Sequence, residues 1–235
     1  IKYASNAFLA TKITFINELA NLCEKTGINV EDISLGIGLD SRIGSRFLRA
    51  GPAYGGSCFP KDTKGLVSVG KKYKIDLNVV KTVIKSNSSR IKLLTKRVEK
   101  ILGNKLKNKQ IAFLGVTFKP NTDDMRDSAS LKMIPYLCKK GAKVNYYDPS
   151  GRKKIFEKLK NCQYKKNIIE NCKNVDLIIL LTEWDEFKSI DFKKIAKGKK
   201  LKIYDLRNLY NLEDMQNKRV EYYSIGRPNI SKFQK

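Results

Sequence analysis

The chain has 235 residues, 41% of them hydrophobic, with 48 Lys and Arg against 23 Asp and Glu and no histidine, so it is long enough for one large or two ordinary domains around a real core. The missing histidine excludes every mechanism that uses imidazole as acid, base or ligand and leaves Cys, Lys, Asp, Glu and Tyr for chemistry. The net charge of +25 invites a nucleic-acid reading, but the lysines are spread through nearly every segment beside abundant Asn and Ile; with no recognised binding motif, no nucleic-acid partner is expected.

No run approaches the ~18 to 20 apolar residues of a membrane span, and the N-terminus lacks a secretory signal pattern. The expectation is a cytoplasmic protein without a membrane partner. Five cysteines with no CxxC pair argue against a disulfide framework and against zinc.

The chain enters already inside a helical pattern, with Ala4, Phe8, Leu9, Ile13, Ile16, Leu19 and Ala20 recurring at helical spacing up to Gly27. Asn29 can cap a short helix from Val30, and the glycine-rich run from Gly36 to Gly56 reads as a structured loop. Pro60 suits the first turn of a helix from Asp62 to Tyr73, and a long helix is expected from Asn78 to Leu102. After "GNKLKNKQ" the periodicity changes. "IAFLGV" (111–116), "KVNYYD", "DLIILLT" (176–182), "LKIYDL" and "VEYYSI" read as strands, with a helix from Ser128 to Lys139. The expected fold class is therefore α/β: an all-helical segment, residues 1–105, followed by a doubly wound Rossmann-like domain, residues 106–235. In that class ligands sit at the C-terminal ends of the strands, which here means the loops after Gly115, Asp148, Thr182 and Asp205.

Within "GPAYGGSCFPKD" (51–62), Cys58 follows a Gly-Gly pair that lets a ligand approach the backbone. It also precedes a helix whose N-terminal amides and dipole favour a thiolate. It is a candidate nucleophile, whereas Cys23, Cys138, Cys162 and Cys172 read as small buried hydrophobes. Lys61 and Asp62 reach the same end of that helix, and Lys2 and Asn6, four apart, share one helix face. Taken alone, each pair reads better as a solvated helix edge. The loop "GVTFKPNTDDMRDS" has one glycine where a dinucleotide fingerprint has three. What it offers is a basic pair, Lys119 and Arg126, near a helix opened by Asp127 and Ser128, suited to a phosphate or carboxylate.

Together with "KYASNAFLATKITFINELANLCE", "GLDSRIGSRFLRAGPAYGGSCFPKD", "YYDP", "LLTEWDEF" and "YDLRN", these residues resemble the UDP-glucose 6-dehydrogenase branch of the UDP-glucose/GDP-mannose dehydrogenase family, in register over nearly the whole chain. Ser57 stands where UDP-N-acetylmannosamine dehydrogenases typically carry histidine. The resemblance implies four-electron oxidation of the C6 alcohol of UDP-glucose to UDP-glucuronate with NAD as cofactor. In it, Cys58 attacks the aldehyde, Lys2 and Asn6 stabilise the oxyanion, and Asp62 positions or activates water. It further implies a glucosyl diphosphate site from Phe47, Leu48, Arg49, Tyr54 and Gly55, uridine contacts from Phe118 and Lys119, and a diphosphate contact from Arg207. Lys61 and Arg126 approach NAD. Arg42 crosses to the partner of a homodimer formed through the long central helix. The family's N-terminal NAD-binding domain has no counterpart in these residues, so the expectation is a fragment that binds UDP-sugar without turning it over. A binding-only remnant and a GDP-mannose-type dehydrogenase are the alternatives.

Overall fold

The computed structural model describes residues 1–196, 200–216 and 220–230. It opens with α1 (Lys2–Thr26), whose buried side, Ala7, Ala10, Thr14, Asn17, Ala20 and Cys23, recurs every three or four residues. The helix stops at Gly27, which takes φ 76° and returns its N–H to the Cys23 carbonyl. α2 (Val30–Gly38) starts as expected, with the Asn29 side chain accepting from the Glu31 amide.

α3 (Phe59–Lys72) begins three residues earlier than its sequence suggests. A proline in the first turn forfeits no helical bond, so the ladder already starts at Cys58, whose carbonyl accepts from the Asp62 amide at 2.8 Å. Cys58 is thus the residue that introduces the helix, and Lys61 and Asp62 lie within its first turn. α4 (Asn78–Ile101) follows.

The strands are β1 (Gln110–Leu114), β2 (Lys143–Tyr147), β3 (Cys162–Tyr164), β4 (Leu177–Leu180), β5 (Leu201–Asp205) and β6 (Val220–Ser224). Between them lie α5 (Ser130–Lys139), α6 (Ile168–Asn171), α7 (Phe192–Ala196) and α8 (Leu212–Gln216). All strand pairs are parallel, in the order β3-β2-β1-β4-β5-β6, which is the doubly wound arrangement with its switch point between β1 and β4. β3 adds a strand to the five expected; "CQY" is too short and too polar to announce itself. α5 starts at Ser130 instead of Ser128 because Asp127 takes φ 51° and the hydroxyls of Ser128 and Ser130 both donate to the Val116 carbonyl.

One sheet face is covered by the helical part of the chain. Ile16, Ala20, Leu94 and Val98 share a core with Ile111, Phe113, Ile134, Tyr204 and Ile225. On the other face, Leu114, Ile178, Leu180 and Tyr222 pack against Phe187, Phe192 and Met215. Burial on both faces accounts for the continuous apolar reading of β1 and β4. No helix among the described residues is long and apolar enough to cross a membrane.

Candidate active site

The loops at the C-terminal ends of the strands face the glycine-rich loop of residues 51–58. Three polar side chains from the helices hold that loop in place. Asn17 Oδ1 accepts from the Gly51 amide, Arg90 Nε donates to the Gly51 carbonyl at 2.7 Å, and Asn87 binds both the N–H and the carbonyl of Tyr54. Arg90 is 5% exposed, and burial pushes its guanidinium down to about 10. None of these three was marked by the sequence. The available signal was a polar residue at a position of the buried helix face, as with Asn17 next to Ile16 and Arg90 next to Ile91.

From the other side the loop meets the segment after β1. Gly56 (φ 78°) donates to the Arg126 carbonyl, and a Cβ on it would lie 2.6 Å from the Phe118 ring. A Cβ on Gly55 would lie 2.5 Å from the Asp127 carbonyl oxygen. Backbone packed against backbone at Gly55, and a left-handed φ beside the Phe118 ring at Gly56, call for glycine at both positions.

At the loop's end Cys58 is exposed, its Sγ 3.7 Å from the Ser57 hydroxyl. Three of the residues singled out from sequence, Asn6, Lys61 and Asp62, converge beside it. Asp62 is fully buried and accepts from Lys61 Nζ and, at 2.6 Å, from Asn6 Nδ2, which ties the start of α3 to the first turns of α1. These two bonds, Lys61 first, hold the Asp62 carboxyl below the usual range, with Lys2 contributing through space. A carboxylate so held is a weak proton acceptor, and its geometry is that of an anchor orienting the Asn6 amide and the Lys61 ammonium. Lys61 is raised in turn, chiefly by Asp62. Arg126 is exposed and pairs with Asp124, a contact that raises it; both Arg126 and Lys61 lie within electrostatic reach of Cys58.

Arg207 reaches the site from the loop after β5. The Asp205 carboxylate shapes that loop by accepting from the amides of Arg207, Leu209 and Tyr210 and from the Tyr222 hydroxyl. The Arg207 guanidinium bridges loops by donating to the carbonyls of Leu181 (2.8 Å) and Phe118 (2.7 Å), and its Nε lies 2.8 Å from Glu183 Oε2. Burial lowers its pKa, and Nη1 lies against Gly51, 3.6 Å from where a Cβ would stand. Arg49 Nη2 donates to the Arg207 carbonyl. Lys119 lies over the Phe118 ring.

Other sequence candidates are placed differently. Leu48 is buried in the core at 2% exposure, so only its backbone is available; its carbonyl accepts from Ser34. Phe47 takes φ 67° and sets its ring edge-on to Phe59. Tyr54 is buried, also edge-on to Phe59. Arg42 is on the outer surface, paired with Asp40.

The segment after β1 does not fit a dinucleotide. Gly115 is its single glycine, and a Cβ there would meet Thr182 at 2.4 Å. Asp148, the acid at the end of β2 where such folds meet a ribose, is fully buried and accepts from the amides of Val116 and Thr117.

Two family models match the chain. Residues 1–89 match the central domain of the UDP-glucose/GDP-mannose dehydrogenase family, and residues 112–212 match that family's UDP binding domain. The chain is 44% identical over 230 residues to a UDP-glucose 6-dehydrogenase of Rhizobium meliloti, covering 97% of this chain and 53% of that protein. It is 46% identical over 229 residues to one of Rickettsia typhi, covering 96% and 53%. Among solved structures, a UDP-glucose dehydrogenase from Pyrobaculum islandicum superposes with a TM-score of 0.84 at 30% identity, covering 96% of this chain and 50% of that one. The chain thus spans about half the length of the relatives it matches.

Proposed function

Because the chain belongs to the UDP-glucose/GDP-mannose dehydrogenase family, we propose that it supplies the substrate site and the reactive thiol for oxidation of UDP-glucose to UDP-glucuronate. The observation that carries this reading is the convergence of Cys58 with Asn6, Lys61 and Asp62 at one end of a glycine loop that is packed against the sheet's switch point.

The glycine loop presents backbone to the glucosyl group, and the cations Arg49 and Arg207 flank the path of the diphosphate. Phe118 and Lys119 line the uridine end. Loss of a hydride and a proton from the C6 alcohol gives an aldehyde. Cys58 Sγ adds to its carbon, with the oxyanion met by the Lys2 ammonium and the Asn6 amide. Loss of a second hydride leaves a thioester, whose C–S bond water breaks to release carboxylate and free thiol. Asp62 keeps Asn6 and Lys61 aimed through these steps. NAD, when bound, supplies a hydride acceptor, and two are used in succession, one for each hydride; the exposed Lys61 and Arg126 beside Cys58 suit the approach of an anionic cofactor from that side.

Calorimetric titration of the chain with UDP-glucose, UDP and GDP-mannose tests the reading directly. UDP-glucose should bind at least about 10-fold more tightly than GDP-mannose, a difference of about 1.4 kcal/mol. Equal or tighter binding of GDP-mannose would reject UDP-glucose as the substrate.

A homodimer belongs to the same proposal, and the exposed apolar residues favour α1 for it. Phe8, Phe15 and Leu22 stand at seven-residue intervals with exposures of 67%, 51% and 58%, a stripe suited to a second helix. On α4 the exposed face carries Lys85, Lys92 and Lys96. Phe15→Glu should turn a dimer into a monomer in sedimentation velocity at micromolar concentration; an unchanged sedimentation coefficient would move the interface elsewhere.

A further inference from the structure

Outside the site, two of the remaining cysteines meet. Cys138 lies in the last turn of α5, and Cys162 is the first residue of β3. Both are partly exposed, unlike the buried Cys23 and Cys172. The Cys138 thiol donates to the carbonyl oxygen of Asn161, the residue preceding Cys162, at 3.6 Å, both side chains pack against the same core, and the two thiols are close enough to perturb each other. We propose that Cys138 and Cys162 form a reversible disulfide, a modification site in which hydroperoxide is the oxidant, Cys138 the attacking thiol and Cys162 the resolving one.

The roles follow from the contact. Pairing with Cys162 lowers the pKa of Cys138, while the same pairing and burial raise that of Cys162. A low-pKa, accessible thiol beside a resolving cysteine is the arrangement that favours sulfenic acid followed by a disulfide over irreversible oxidation. The Cys138 thiolate attacks a peroxide oxygen, the O–O bond breaks, Cys138–S–OH forms, and the departing hydroxide takes up the proton that Cys138 had released and leaves as water. The Cys162 sulfur then attacks the Cys138 sulfur; the S–S bond forms, the S–O bond breaks, and the departing hydroxide takes the Cys162 proton as water. In sum, two thiols and one hydrogen peroxide give one disulfide and two waters, a two-electron oxidation.

The bridge would tie the C-terminal end of α5 to the edge strand. That end of α5 meets the N-terminal end of β3, whereas Ser130, at the other end of the helix, bonds the Val116 carbonyl beyond the C-terminal end of β1, so the modification leaves the substrate loops open. It does not depend on the dehydrogenase reading.

The reduced protein, treated with one equivalent of hydrogen peroxide and digested without reductant, should yield the Cys138 and Cys162 peptides as one linked species, two hydrogens lighter than their sum. Dithiothreitol should reverse the link, and the oxidised protein should melt about 5 °C higher, since the bridge restricts the unfolded chain. A sulfenic-acid label read peptide by peptide should land on Cys138 in Cys162→Ser and leave Cys162 unmodified in Cys138→Ser. Free thiols after treatment, separate oxidation of both residues to sulfinic acid, or a label on Cys162 would overturn the proposal.

Discussion

Cys58→Ser should abolish NAD reduction with UDP-glucose, by on the order of 10⁴-fold or more, in a protein where this chain follows the nicotinamide-binding domain that the resemblance calls for. Affinity for UDP-glucose should change less than about two-fold, since removing a group that acts only in the transition state leaves ground-state binding intact. A serine hydroxyl occupies nearly the same space but is a far weaker nucleophile without an adjacent base. Among the described residues none is placed as such a base. Asp62 is held as an anchored carboxylate by Lys61 and Asn6, below its ordinary range, and the chain has no histidine. Titration of the variant with UDP-glucose separates a chemical defect from a folding defect. Near-wild-type NADH formation without the thiol would remove Cys58 from the mechanism.

How much of this was legible in the sequence depends on the distance over which each feature is decided. The helices α1 to α5 and five strands could be read because their signals are local: Gly27 ending α1, Asn29 capping α2, and the unbroken apolar runs of β1 and β4; α6, α7 and α8, of four or five residues each, were too short to read. β3 was not legible, since three residues carry too little periodicity and are recruited by pairing with β2. In the site, Cys58, Lys61 and Asp62 are near neighbours in the chain, and the thiol's motif marked them together. The bond from Asn6 to Asp62 spans 56 positions, and only the resemblance joined them. Asp205 shows the converse case. Its place in "YDLRN" was read as part of a motif, but its work, ordering the turn that carries Arg207 through three backbone amides and the Tyr222 hydroxyl, depends on partners that folding alone assembles.

The other large effect is on stability and lies where the end of β6 meets the first helices. Gly226 takes φ 64°, donates to Glu24 Oε1 at 2.9 Å and accepts from the Val30 amide at 2.7 Å. A Cβ there would lie 2.6 Å from Ala20 Cβ and 2.7 Å from Val30 Cγ1, distances that force α1, α2 or the strand end to move. Gly226→Ala should therefore cost about 2–5 kcal/mol: about 1–2 from the left-handed backbone and about 1–3 from overpacking. Gly27→Ala is the matched control. Its φ is 76°, yet nothing lies within 4 Å of an added Cβ, so it should show the backbone cost alone. The difference in urea midpoint between the two variants then measures the packing of the helical part against the sheet. Because the glycine loop is held by α1 and α4 while Phe118 and Arg207 come from the sheet's loops, loosening this contact should weaken UDP-glucose more than UDP. Equal midpoints for the two variants would show that the strand end is free to shift, and that the two parts of the site are held together elsewhere.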